Sequence, residues 1–201
     1  MLAREKGASS WLNALPLKAL SYTLNKQEFR DGIAMRYAWA IHDIPTICAC
    51  GSKNSVPHTL DCKKGGFVCM RHNALRDSTA NLLRDSGCKD VQIEPELLPV
   101  DPKKFSKRTN TQPGARLDVS ARGVWSQFER SFYDIRVTHP NCLSNIGKPV
   151  ADIYVEHQKA KKSEYEERVL QSEKASFTPL IFTTSGGMAE WDRSAPFSIS
   201  G

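Results

Sequence analysis

Apolar positions recur at near-helical spacing in the first part of the chain. Residues 8 to 41 read as helical, with Phe29, Ile33, Tyr37 and Ala40 along one face. Asn25, with Glu28 three residues on, is a capping-box pattern, and Pro45 closes the region. Residues 46 to 66 are rich in Cys, Gly and Lys and lack periodicity. A second helix follows Gly65-Gly66, with Phe67, Met70, Ala74, Leu75 and Leu82 on one face and Gly87 as its stop. Val91-Gln92-Ile93 reads as a short strand, and residues 95 to 114, with Pro95, Pro99, Pro102 and Pro113, as an exposed loop. Alternation then predicts two strands. In one, Ala115, Leu117 and Val119 alternate with Arg116, Asp118 and Ser120; in the other, Tyr133, Ile135 and Val137 alternate with Phe132, Asp134 and Arg136. A charged helix from about Asp152 to Lys174 and an apolar strand, Phe177 to Thr183, complete the pattern, and the residues after Gly186-Gly187 read as irregular. This order of elements is an α/β layer.

Composition narrows the class only a little. The 201 residues carry 28 Lys and Arg against 22 acids, a net charge of +6, which suits a polyanionic partner. The opening stretch contains Glu5, Asn13, Pro16 and Lys18, so it reads as neither a signal peptide nor a spanning helix. The expectation is an intracellular protein that does not enter membranes and keeps its cysteines reduced.

Four of the six cysteines, Cys48, Cys50, Cys62 and Cys69, fall between positions 48 and 69. Clustered thiols in a reducing compartment point to metal. Cys48, Cys50, His58 and Cys62 form a Cys-Cys-His-Cys set able to surround zinc, with His72 a competing fourth ligand and Cys69 a weaker one. Residues 46 to 66 hold few apolar side chains, so zinc would supply the folding energy that a core does not. Beside them, Arg71, His72 and Asn73 open the second helix as candidate phosphate contacts. The run Lys103, Lys104, Lys107 and Arg108 is a second candidate nucleic-acid surface, joined by the lysines near 157 to 162.

Asp118 and Asp134 each sit on the polar face of a predicted strand, and Lys161 and Tyr165 share a helix face. If the strands pair, both carboxylates project from one face, about 4–6 Å apart, close enough to hold Mg²⁺. A nearby lysine, expected at the surface, would steady the charge developing on a phosphate.

The ordered set CACGSKNSVPHTLDC, RHN, ARLDV, FYDIRV, HQKAKKSEY and FTPLIF resembles the C-terminal region of non-long-terminal-repeat retrotransposon proteins. The stretch GASSWLNALPLKALSYTLNKQEFRDGIAMRYAW is similar to the segment that links the reverse transcriptase to that tail. In that family a Cys-Cys-His-Cys zinc motif precedes a restriction-like endonuclease. The resemblance implies an α/β fold with a PD-(D/E)xK core, preceded by a helical, zinc-stabilised segment. It divides the chain into a helical linker (1–45), a zinc-binding loop and helix (46–87) and an endonuclease domain (88–201). It assigns Asp118, Asp134, Lys161 and Tyr165 to catalysis, structural zinc to the cysteine loop and catalytic Mg²⁺ to the two aspartates. It implies DNA and element RNA as partners and a nuclear location. Two positions depart from the family pattern: Leu117 stands where Pro is usual, and Asp134-Ile-Arg136 lacks the lysine two residues on, leaving Lys159 and Lys162 as alternatives to Lys161. No Tyr-x-Asp-Asp occurs, so DNA synthesis is not expected. The alternatives are a non-catalytic, zinc-stabilised nucleic-acid-binding module and an inactive remnant.

Overall fold

A computed structural model describes residues 5, 7, 8, 10–20, 23–37 and 39–190. Residues 191–201, read from sequence as irregular, lie outside the described residues. The long helix expected over 8 to 41 is broken. Two 3-10 turns, Ser10–Asn13 and Lys18–Leu20, precede helix α1, Lys26–Tyr37. Pro16 lies between the two turns, where a missing N–H and a fixed φ interrupt a continuous helix. The capping box forms: Glu28 N donates to Asn25 Oδ1 (2.9 Å), and Asn25 N donates to Glu28 Oε2 (2.8 Å).

Four further elements build toward the sheet. Helix α2 spans Val56–Asp61 and helix α3 Phe67–Asp85. Strands β1, Lys89–Ile93, and β2, Val119–Arg122, follow. Strand β3 is Arg130–Thr138 and helix α4 Val150–Arg168, which runs on into a π-turn over Val169–Glu173 before strand β4, Ser176–Thr183. The sheet order is β1-β2-β3-β4; β1/β2 and β2/β3 are antiparallel, and β3/β4 are parallel across the α4 crossover. A parallel pair needs such a long connection, and α4 supplies it.

Alternate residues of β3 serve two cores. Tyr133 and Ile135 pack with Ala80 of α3, Val119 and Leu180. Phe132 packs with Tyr165 of α4, Val169, Phe177, Leu97 and Leu117. One helix therefore covers each face of the sheet, and β3, buried on both sides, is its hydrophobic centre.

The long loop between β1 and β2 is pinned from inside. Arg168, fully buried, donates to the carbonyls of Asn110 (2.8 Å), Gln112 (3.1 Å) and Leu98 (2.9 Å). Thr109 Oγ1 donates to Glu167 Oε2 (2.5 Å), and Asn110 N donates to Glu164 O (2.7 Å). This proline-rich loop is thereby held against α4. Replacing Arg168 with Leu strands those buried carbonyls, and the expected loss is about 3 kcal/mol, read as a lower urea midpoint at unchanged slope.

Candidate metal centre and acidic site

The cysteine loop is built by a tight turn. Cys48 N donates to Ser52 O (2.9 Å) and Gly51 N to Cys48 O (2.8 Å), with Gly51 at φ 86°. Only glycine adopts that conformation at low cost. The turn brings Cys48 and Cys50 to the side of α2. Sequence periodicity had no sign of α2, yet its N-cap is legible: Ser55 Oγ accepts from His58 N (3.3 Å), with Pro57 in the first turn. The ligand atoms of Cys48, Cys50, His58 and Cys62 all lie within 4.8 Å of one another. Cys48 Sγ and Cys62 Sγ are 3.7 Å apart, and Cys50 Sγ and His58 Nε2 3.2 Å. Tetrahedral zinc with ordinary bonds needs about 3.8 Å between sulfurs and about 3.5 Å from sulfur to nitrogen. The cluster fits that ion and could hold a structural zinc. Hydrogen bonds from the Ser52 side chain and backbone hold the Cys50 thiol down at about 6, toward the thiolate a metal requires.

The competing ligands lie elsewhere. Cys69 is exposed on α3, and His72 is turned away to the sheet. Arg71 also points inward, donating from Nη2 to Leu60 O (3.2 Å), so it braces α2. Asn73 is exposed, and its side chain lies 3.5 Å from His72 Nδ1. Lys103, Lys104 and Arg108 are exposed on the loop that Arg168 anchors, Lys103 and Lys104 within a 3-10 turn, Pro102–Lys104.

Asp134 sits in the middle of β3, beside Phe132 on the α4 side, and its side chain is only 9% exposed. Lys161 Nζ meets its Oδ2 at 2.6 Å and lies 5.5 Å from the centre of the Tyr165 ring. Tyr165 is buried and accepts from Asn110 Nδ2 (3.2 Å), with its phenol pushed up to about 12 by burial. Lys161 is not the surface group expected from sequence: its side chain is 19% exposed. The exposed Lys159 stands two residues away on the same helix.

Asp118 differs from expectation in an instructive way. It precedes β2 by one residue and is not within a strand. Leu117 packs on the α4 side and Val119 on the α3 side. A regular strand puts residues two apart on one face, so the backbone is irregular at Asp118. The Asp118 carboxylate therefore enters at the strand end. Its Oδ2 accepts from Ile135 N (2.5 Å), the peptide next to Asp134, and lies 3.3 Å from His72 Nε2 of α3. Instead of facing one helix as a pair, Asp118 bonds the peptide N–H next to Asp134 and meets His72 of α3, whereas Asp134 meets Lys161 of α4. The two carboxylates share a field: burial raises the Asp134 carboxyl to about 6, Lys161 opposes the rise, and the Asp118 charge adds to it, with Glu164 as a further like charge.

Sequence reasoning missed His72 as the partner of Asp118. The hydrogen bond to Asp118 is the main cause raising the imidazole pKa, against burial. Arg76, one helical turn on, pairs with Asp77 (2.9 Å) and with Glu94, and its charge also senses Asp118. The spacing 72, 76 on a helix beside a strand was the available signal.

Among the described residues, no helix is long and apolar enough to cross a membrane. Compared with known protein families and with curated protein sequences, the chain matches none.

Zinc content checks the ligand set. Purified protein should carry one Zn²⁺ per chain, and a strong chelator should lower its melting temperature. Cys62→Ser and His58→Ala should each lose the metal, whereas Cys69→Ser and His72→Ala keep it. Loss of zinc with His72→Ala but not His58→Ala would reverse the assignment.

Proposed function

We propose that the chain is a metal-dependent DNA endonuclease module of the retrotransposon type, a PD-(D/E)xK-like site beside a zinc-stabilised loop. The supporting observation is the Asp134–Lys161 contact of 2.6 Å with the Asp118 carboxylate on the next peptide. Two carboxylates and an ammonium are what phosphodiester hydrolysis requires around one phosphate. Asp118 and Asp134 would hold Mg²⁺, which when bound lowers the pKa of a water nucleophile and neutralises phosphate charge. Lys161 orients Asp134 and offers its protons toward an approaching phosphate. Tyr165, fixed by Asn110, backs the lysine stem and limits its rotamers. The exposed Lys103, Lys104 and Arg108 and the lysines of α4 supply sequence-independent attraction to DNA, with element RNA as a second polyanion.

A second reading, a zinc-stabilised binding module without cleavage, draws on His72. An Asp118 oxygen already engaged by an imidazole and a peptide N–H must give up a partner to take a metal.

Nicking of supercoiled plasmid with Mg²⁺ separates the two readings. Asp134→Asn should cut the nicking rate by about 100-fold or more, with DNA affinity retained. DNA binding with no metal-dependent nicking by the wild type would favour the second reading. The pH profile tests the same carboxylate. Asp134 is raised to about 6, so it is protonated below that pH and ionised above it. Nicking at limiting Mg²⁺ should therefore fall as pH drops through about 6. More Mg²⁺ should move that midpoint downward, because metal and proton compete for one oxygen. A midpoint indifferent to Mg²⁺ would remove Asp134 from the metal.

A further inference from the structure

Residues of α1 and α2 and those just after β3 and β4 line a mostly apolar cavity of about 540 Å³. Trp11, Trp39, Met35 and Leu60 contribute its apolar wall, and His139 lies in that wall. Trp11 approaches α1 closely at Gly32, which has no Cβ: an added one would come within 3.2 Å of the indole. Trp39 is 61% exposed at the mouth and stacks on Tyr37, ring centroids 5.2 Å apart and planes 24° from parallel.

His139 makes the cavity more than an apolar dent. It is 6% exposed, its Nδ1 pairs with Thr184 Oγ1 at 2.7 Å, and its backbone is held by Asn145 Nδ2, which donates to the His139 carbonyl at 3.0 Å. Its Nε2 is buried and has no hydrogen-bond partner. Burial pulls the imidazole pKa down, so the ring is neutral and Nε2 offers a single donor or acceptor. A buried polar atom without a partner is uncommon enough to call for a ligand or water. Aromatic walls, the partnerless His139 Nε2, and Arg36, Asn141 and Ser185 also in the lining fit a planar heterocycle that carries hydrogen-bonding groups on its rim.

We propose that this cavity takes an unpaired nucleobase from a single-stranded stretch of nucleic acid, stacked against tryptophan and hydrogen-bonded by His139 Nε2. The proposal rests on the nucleic-acid reading above and deepens it: the chain grips an exposed base as well as phosphates. Every base has a π-face, so stacking supplies affinity without demanding a sequence, and the His139 contact adds a preference among base edges.

The test compares two fluorescently labelled single-stranded oligodeoxynucleotides of equal length and charge by anisotropy. One carries 2-aminopurine at its centre and the other an abasic unit there. The full chain should bind the abasic strand roughly tenfold more weakly, and 2-aminopurine emission should change on binding. Trp39→Ala, at an exposed position, and His139→Gln, checked for folding by thermal unfolding, should each narrow that tenfold difference. If His139→Gln fails to fold, Trp39→Ala decides. Equal affinity for both strands, or a difference that Trp39→Ala leaves intact, overturns the base pocket, and duplex nicking then stands untouched. Failure to bind any DNA at low salt overturns the endonuclease reading and this proposal together.

Discussion

A carboxylate at the centre of a strand buried on both faces sets the terms for this fold. Asp134 sits in β3 among residues that serve two cores, where an uncompensated charge is costly. Lys161 answers it from α4, and burial still leaves the carboxyl well above its ordinary range. Because α4 is also the crossover that makes β3 and β4 parallel, the ion pair and the topology constrain each other. The helix must lie over β3 at the height of Asp134. Arg168, two turns beyond Lys161, then ties the long loop to the same helix. Breaking such a pair from one side leaves a lone buried charge, which is why the two residues act as one unit.

The second constraint is the break at Asp118. A continued ladder would have offered Ile135 N a backbone carbonyl, and a side-chain carboxylate takes that place. A main-chain donor is satisfied while a negative charge is fixed beside Asp134. The Asp118 charge raises the proton affinity of Asp134, and the Lys161 ammonium opposes that rise.

Much of this was legible in the chain. The Asn25–Glu28 box, α3 with its glycine borders, β3, α4 and β4 follow from local pattern, because each carries a strong periodicity or cap. The Cys-Cys-His-Cys grouping was legible as well, since ligand type and spacing survive without knowledge of the fold. What escaped was non-local or irregular. Residues 8 to 41 read as helix, yet only the part after the Asn25 cap forms α1, and the stretch around Pro16 holds 3-10 turns. The α2 turn is too short for periodicity, and only Ser55 and Pro57 mark it. The displacement of Asp118 from its strand cannot be seen in an alternation that continues unbroken through Leu117 and Val119. Lys161 looked like one of several surface lysines because nothing in a charged helix shows which of them faces a buried acid. His72 reads in sequence as a metal ligand, and only the packing of α3 on the sheet turns it to Asp118.

The second turn of α3 faces two ways. Arg71 donates to the carbonyl of Leu60 in the helix that carries His58, and the next residue, His72, reaches Asp118 and the carbonyl of Ile135. Neighbouring side chains thus clamp the cysteine loop on one side and the strand end on the other. A single residue inserted near position 71 would rotate one grip by about 100° relative to the other. Residues added before Phe67 would leave both grips in register, so the constraint falls on the adjacent helical positions 71 and 72.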